Sequence, residues 1–256
     1  MAIAASSEAA RAGRKFFIAN GVPIHVTTFI GVDVATRGGA DDPAPGDPVP
    51  MAFLVEQPPG SVVQSHFHQA DQFQVVVHGG GTLGRHPVEK LSIHYANAFN
   101  AYGPIKAGAQ GVHYFTLRNG YDPGAQYLPE QREMIRAAPR EFLHATEQVT
   151  QATVQELALL EAPRSDIVLP MNEQGMAAWR HRLPPGATLR GADPAQGAGQ
   201  YWVVTAGSAR QADGAELPTL STIFVRSGDA AMNIVAGAMG LEMLVLQYRR
   251  RLPAAA

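Results

Sequence analysis

GSVVQSHFHQADQFQVVVHG, residues 60–79, decides how this chain is read. Two histidines flank a phenylalanine, a polar turn follows, and an apolar run begins at Gln72. Side chains on a strand alternate between its two faces. His66 and His68 therefore share a face, with Phe67 on the other. In the run that follows, Gln72, Gln74, Val76 and His78 share one parity, while Phe73, Val75 and Val77 pack on the opposite side. Two imidazoles on a curved strand can converge on one divalent ion at about 2.0–2.1 Å. A lone H-x-H pair in a strand is more often surface or core chemistry, so its surroundings decide between the two readings.

Those surroundings are rich in strands. The 256 residues are 46% hydrophobic, enough for a sizeable core, and Gly and Pro number 26 and 19, which suits many short strands joined by turns. Net charge is −2 and no long basic run occurs, so nucleic acid is not an expected partner. The chain has no cysteine. That excludes disulfides, thiolate ligation and a cysteine nucleophile, and it is compatible with the cytoplasm. The opening MAIAASSEAARAGRKFF has no apolar core after a basic start, so no signal peptide is expected, and its first dozen residues are expected to fray. Apolar stretches fall far short of the ~20 residues that cross a bilayer, so no membrane partner is expected.

The sequence also repeats itself. QFQVVVHG (72–79) matches QYWVVTAG (200–207), AGAQGVHYFTL (107–117) matches AGAMGLEMLVL (236–246), and PPG recurs at 58–60 and 184–186. Three anchors in one order, at offsets of 126 to 129, argue for a duplicated β-rich domain. LPEQREMIRAAPREF and TVQELALLEA read as short helices between the copies. The expected domains are 1–145 and 146–256.

At these residues the chain resembles the cupin superfamily. Its first motif reads G, five residues, H-x-H, three or four residues, E, six residues, G. Gly60, His66, His68, Gln72 and Gly79 keep this spacing, with Gln72 in place of the glutamate. The second motif reads G, five residues, P-x-G, two residues, H, three residues, N. AYGPIKAGAQGVHYFTLRN (101–119) places His113 at its histidine, with Gly108 and Gln110 for P-x-G and Leu117 for the asparagine. The resemblance implies an all-β chain of two tandem cupin (double-stranded β-helix, jelly-roll) barrels with a short helical linker. It implies a metal held in the N-terminal barrel by His66, His68 and His113, with Gln72 as a fourth ligand or as the holder of a metal-bound water. The equivalent second-copy positions, Pro194, Gln196, Gln200 and Glu242, contain no histidine, so that barrel is read as metal-free and structural.

Three neutral imidazoles leave a divalent ion its full charge, which favours a small anionic bidentate substrate such as a dicarbonyl, enolate or phenolic compound. One ion per chain is expected, Fe(II) first, with Zn, Ni, Mn or Cu as alternatives. The leading reading is a dioxygenase taking a small molecule and O₂. The alternatives are a non-oxidative metal-dependent lyase or isomerase, and a ligand-binding module without catalysis. Gln74, on Gln72's face, and Tyr102, in the AYGPI turn, are the polar candidates beside the metal, with Tyr114 assigned to packing. His78 is inward by parity, His86 sits in an exposed turn, His94 is ambiguous, and His25, His144 and His181 read as structural. A homo-oligomer is expected.

Overall fold

The computed structural model describes residues 2–139, 141–211 and 214–250. The elements begin β1 (Ile3–Ala5), α1 (Ser7–Arg11), β2 (Arg14–Ala19), β3 (Val22–Ile30), β4 (Met51–Gln57), β5 (Val62–Val63), β6 (His66–Phe67) and β7 (Gln72–Leu83). They continue with β8 (His86–Glu89), β9 (Ser92–Ala96), β10 (Ile105–Arg118), β11 (Gln126–Tyr127), α2 (Arg132–Ala137), β12 (His144–Gln148) and α3 (Val154–Ala158). The remainder are β13 (Arg164–Leu169), β14 (Ala177–Leu183), β15 (Thr188–Arg190), β16 (Gln200–Arg210), β17 (Glu216–Pro218), β18 (Thr222–Val225) and β19 (Asn233–Gln247). The chain is mostly β, and α2 and α3 fall inside the two segments expected to be helical. No helix among the described residues is long and apolar enough to cross a membrane.

Contacts divide the chain into two compact units, Ala12–Val149 and a second built from Met1–Arg11 with Thr150–Ala256. In the first, nine strands form an antiparallel sheet in the order β12-β9-β7-β10-β4-β3-β2, with β5 on β10 and β8 on β7. Its spine is the β7/β10 pair. Inward residues of the neighbouring strands, among them Ile24, Val26, Phe53, Val55, Val76, Val112 and Tyr114, make one buried apolar cluster. Strand alternation produces this cluster directly, because these residues sit at every second position of β3, β4, β7 and β10.

The second unit carries an eight-stranded sheet ordered β1-β18-β16-β19-β14-β13, with β15 on β19 and β17 on β16. The strand order β9-β7-β10-β4-β3 of the first sheet recurs here as β18-β16-β19-β14-β13. Register agrees as well: Gln72 pairs with Arg118 in one sheet and Gln200 with Gln247 in the other. The core of the second unit gathers Leu183, Trp202, Val204, Met243 and Val245. Trp202 occupies the repeat position of Gln74. The first residues do not fray as the sequence led us to expect. β1 pairs with β18 through Ile3↔Phe224, and Ser7 bonds Ser221 Oγ and the Thr219 carbonyl at 3.1 and 2.9 Å. The Ala/Ser composition conceals a strand whose partner lies more than two hundred residues away.

One backbone device occurs in both sheets. The β7/β10 register shifts between His113 and Tyr114, where His78 faces His113 but Val76 faces Tyr114. The β16/β19 register shifts likewise next to Ala206, which faces Glu242. Such a bulge changes which side chains face inward beyond it. Just past it stand Gly79 (φ +64°) and Gly207 (φ +69°), where an added Cβ would lie 2.1 Å from the carbonyl oxygens of Gly111 and Gly240. Gly79→Ala and Gly207→Ala should each destabilise the protein by about 2 kcal/mol or more, through backbone strain and this clash. Gly39→Ala, with nothing within 4 Å of its added Cβ, should stay within about 0.5 kcal/mol. Urea unfolding of the three variants measures the difference, and equal midpoints would refute the assignment of the bulge as a steric requirement.

Candidate functional site

The first unit contains a cavity of about 320 Å³ whose polar lining includes His66, His68, Gln74, Tyr102, Thr116 and Arg118, with Ile24, Val26 and Val55 among its apolar walls. His66 stands on β6, and its backbone exchanges two hydrogen bonds with Tyr102, at 3.1 and 3.0 Å. Its Nδ1 lies 2.7 Å from the Gln64 carbonyl. A carbonyl only accepts, so Nδ1 carries the proton and Nε2 is the acceptor. The Tyr102 hydroxyl donates to that Nε2 at 2.9 Å. His68, two residues on and with its ring 5.2 Å from that of His66, donates Nδ1–H to Asp122 Oδ1 at 3.0 Å. Its Nε2 is therefore also a lone pair. On the far side of Gln74, His94 Nδ1 donates to Gln74 Oε1 at 3.0 Å.

Burial governs the charges of these groups. It pushes His66 down to about 4, with a further contribution from the Arg118 cation, and His68 down to about 3 for the same two reasons. Burial also takes His94 to about 3, helped by His144. All three imidazoles are neutral near pH 7. Burial raises both Tyr102 and Tyr114, which stay protonated. Burial alone would raise Asp122, but Arg118 and His68 outweigh it and hold this carboxyl well below the usual range. The Asp122 oxygens also accept from Gln69 N at 2.8 Å and Gly124 N at 2.9 Å.

Arg118, 1% exposed, ends β10. Its Nε and Nη2 donate to Gln72 Oε1 at 3.3 and 3.1 Å, and its Nη1 lies 3.3 Å from Asp122 Oδ1 without completing a hydrogen bond. The Arg118 guanidinium carbon is 5.3 Å from the centre of the Phe53 ring, and that of Arg37 is 5.7 Å from the same ring. Burial, and then repulsion from Arg118, lowers Arg37 to about 10, still charged at neutral pH.

The sequence-expected residues are thus only partly brought together. His66, His68, Gln74 and Tyr102 line the cavity and Gln72 is buried against Arg118, but His113 is not among them. On β10 the inward positions are Val112, Tyr114, Thr116 and Arg118. His113 faces the other way, opposite Glu56, which pairs with the partly exposed Arg14, and its ring lies tilted with its centre 4.7 Å from that of His78. The bulge carries His78 out to the same face, so the parity that placed it inward fails. Tyr114, assigned to packing against the opposite face, lines the cavity instead. Tyr102 is buried. In the second unit Pro194 and Gln196 lie in a 3-10 turn, Gln200 donates to Gln247 at 2.8 Å, and Glu242 accepts from Thr205 Oγ1 at 2.9 Å. Sequence reading missed Arg118, Asp122 and Arg37. The inward parity of Arg118 with Tyr114 was the one available signal.

These residues do not fit the three-histidine metal that the fold family implies. Two anchored imidazoles do present Nε2 lone pairs, as metal-binding histidines do. However, among the described residues no group of three or more His, Cys, Asp or Glu side chains is placed to hold an ion. The Gln72 oxygen is occupied by Arg118, and a divalent cation there would meet that guanidinium directly, with Arg37 nearby.

The neutral histidines make stability pH-dependent. Each has a folded pKa below its unfolded value of about 6.5, so the unfolded chain binds more protons in acid. Their contribution is complete above pH 6.5 and is lost as pH falls through the window down to about 4–3. The slope is up to about 1.4 kcal/mol per pH unit for each group. Urea midpoints should fall between pH 7 and pH 5, and His94→Gln should flatten that fall. A midpoint independent of pH would contradict the burial of neutral imidazoles.

No protein-family model matches the chain, and no curated protein matches it. Solved structures do. A proposed dioxygenase from Nostoc punctiforme is 15% identical with a TM-score of 0.55, covering 94% of this chain and 85% of that one. The bacterial pirin YhhW of Escherichia coli, solved with nickel(II), is 11% identical with a TM-score of 0.56, covering 98% and 100%. Oxalate decarboxylase from Bacillus subtilis is 13% identical with a TM-score of 0.57, covering 97% and 76%. At such identities the likeness shows the fold alone: this chain shares the β-sheet architecture of these structures, in agreement with the fold expected from the H-x-H motif.

Proposed function

We propose that this chain is a two-barrel cupin enzyme whose Ala12–Val149 unit moves a proton on a small oxygen-rich molecule, while the other unit is structural. The observation that carries this reading is the hydrogen bond from Tyr102 to His66 Nε2 beside a cavity lined by two guanidiniums. A neutral imidazole with its lone pair inward is a base, and the hydroxyl between it and the cavity can relay the proton. In an empty cavity His66 is a weak base. An anion bound beside Arg118 offsets the guanidinium and raises the imidazole toward the working range. In the step proposed, a carbon next to a carbonyl gives its proton through Tyr102 to His66. The electron pair moves to the carbonyl oxygen as an enolate, which Arg118 stabilises. His66, after exchanging that proton with solvent, returns one through Tyr102 to the same or the adjacent carbon, so the reaction is an isomerisation without redox change.

A metal-dependent enzyme is the second reading. It is favoured by the paired Nε2 lone pairs of His66 and His68, and the pirin relative was solved with nickel(II). The Fe(II) oxygenase expected from sequence is its narrower form. Chelator-treated protein separates the two. In deuterated water with small α- and β-keto acids, the first reading expects proton–deuteron exchange to persist without metal. Tyr102→Phe and His66→Gln should slow it by about 100-fold or more. Exchange or oxygen uptake that appears only after adding one equivalent of a divalent ion would overturn the first reading in favour of the second.

A further inference from the structure

The cavity holds more buried positive charge than it neutralises. Arg37 and Arg118 both approach the Phe53 ring, and both line the cavity. The buried carboxylate they share is Asp122, whose oxygens are already taken by His68, Gln69 and Gly124. Asp42 is within electrostatic range of Arg37, but it accepts from Tyr121 at 2.7 Å and from the amides of Gly38 and Gly39. Nη1 of Arg37 and Nη1 of Arg118 are both buried without a hydrogen-bond partner. An unpartnered buried guanidinium donor is costly, and such donors are conspicuous in native interiors. The histidines add no compensating charge, because each is neutral.

We propose that Arg37 and Arg118 are the receptor for the carboxylate of a small organic acid whose apolar body packs against Ile24, Val26 and Val55. Two guanidiniums and one engaged carboxylate leave room for one negative charge, so a monoanion fits. Planar N–H forks match a carboxylate in shape as well as charge. A volume of about 320 Å³ lies at the low end of small-molecule sites, roughly 300–1,000 Å³. The β3 and β4 side chains on the walls supply the apolar contact. The inference deepens the reading of this cavity as the working site by naming the substrate class, and its test does not require turnover.

Calorimetric titration with benzoate, and with benzamide as its neutral isostere, is the test. Benzoate should bind one per chain, and benzamide at least about 30-fold more weakly. Arg37→Met removes no hydrogen bond of the free protein. It should leave or raise the melting temperature while weakening benzoate at least about tenfold. Arg118→Lys, which keeps the charge but not the fork, should weaken it too. Equal affinities for benzoate and benzamide would overturn the proposal, as would unchanged binding in Arg37→Met or inorganic phosphate binding as tightly as benzoate. Benzoate binding without any proton exchange would leave the receptor standing and remove the catalytic reading alone.

Discussion

The antiparallel pairing of β7 with β10, bulged opposite His113, is the constraint from which the site follows. It fixes that Gln72, Gln74 and Val76 look inward with Tyr114, Thr116 and Arg118, and that His78 and His113 look outward. A slip of one residue would exchange those sets completely. The glycines past the bulge let two backbones approach where no side chain could fit. Register therefore decides the chemistry of the interior before any functional group is considered.

That chemistry is an unusual balance. A guanidinium stands where the family resemblance led us to look for an ion, and it takes hold of the glutamine that replaces a glutamate. The two substitutions are physically consistent with each other. A carboxylate at position 72 would neutralise Arg118, whereas the neutral amide accepts its hydrogen bonds and leaves the positive charge in place. Asp122 anchors His68 and also lies 3.3 Å from Arg118, so its one charge is divided between an imidazole and a guanidinium. In the second unit the corresponding pair is Gln200 with Gln247, neutral on both sides, with Trp202 filling the core beside it. The repeat thus keeps the cross-strand pair while replacing its charge with apolar volume.

Much of this was legible in the sequence. The H-x-H pair, its alternation and the glycine at position 79 pointed to the fold. The matched strings at 72–79 and 200–207 anticipated strands that now prove to hold the same place in two sheets. The placement of Gln74 on Gln72's face was readable from period two alone. His113 misled because its motif match was loose, and because Val112, Tyr114, Thr116 and Arg118 set the phase of β10. Arg118 and Asp122 lie 46 and 54 residues from their partners Gln72 and His68. Arg37 comes from the loop after β3. Only strand register and loop conformation bring them to the cavity, and neither leaves a local pattern in the chain.

The pairing of Ile3–Ala5 with Thr222–Val225 has a consequence for biosynthesis. Ile3 leaves a ribosome more than two hundred residues ahead of Phe224, so the earlier strand must wait for the later one. At about 5–20 residues per second, the interval is roughly 10–40 s. The Ala12–Val149 unit has all its strands in the meantime, and so can fold as an insertion within a still incomplete, discontinuous neighbour. The β1 strand spends that time as an unmatched edge, the kind of surface on which nascent chains engage chaperones or one another. Synthesis speed and early crowding, rather than final stability alone, then govern the yield of correctly assembled chains.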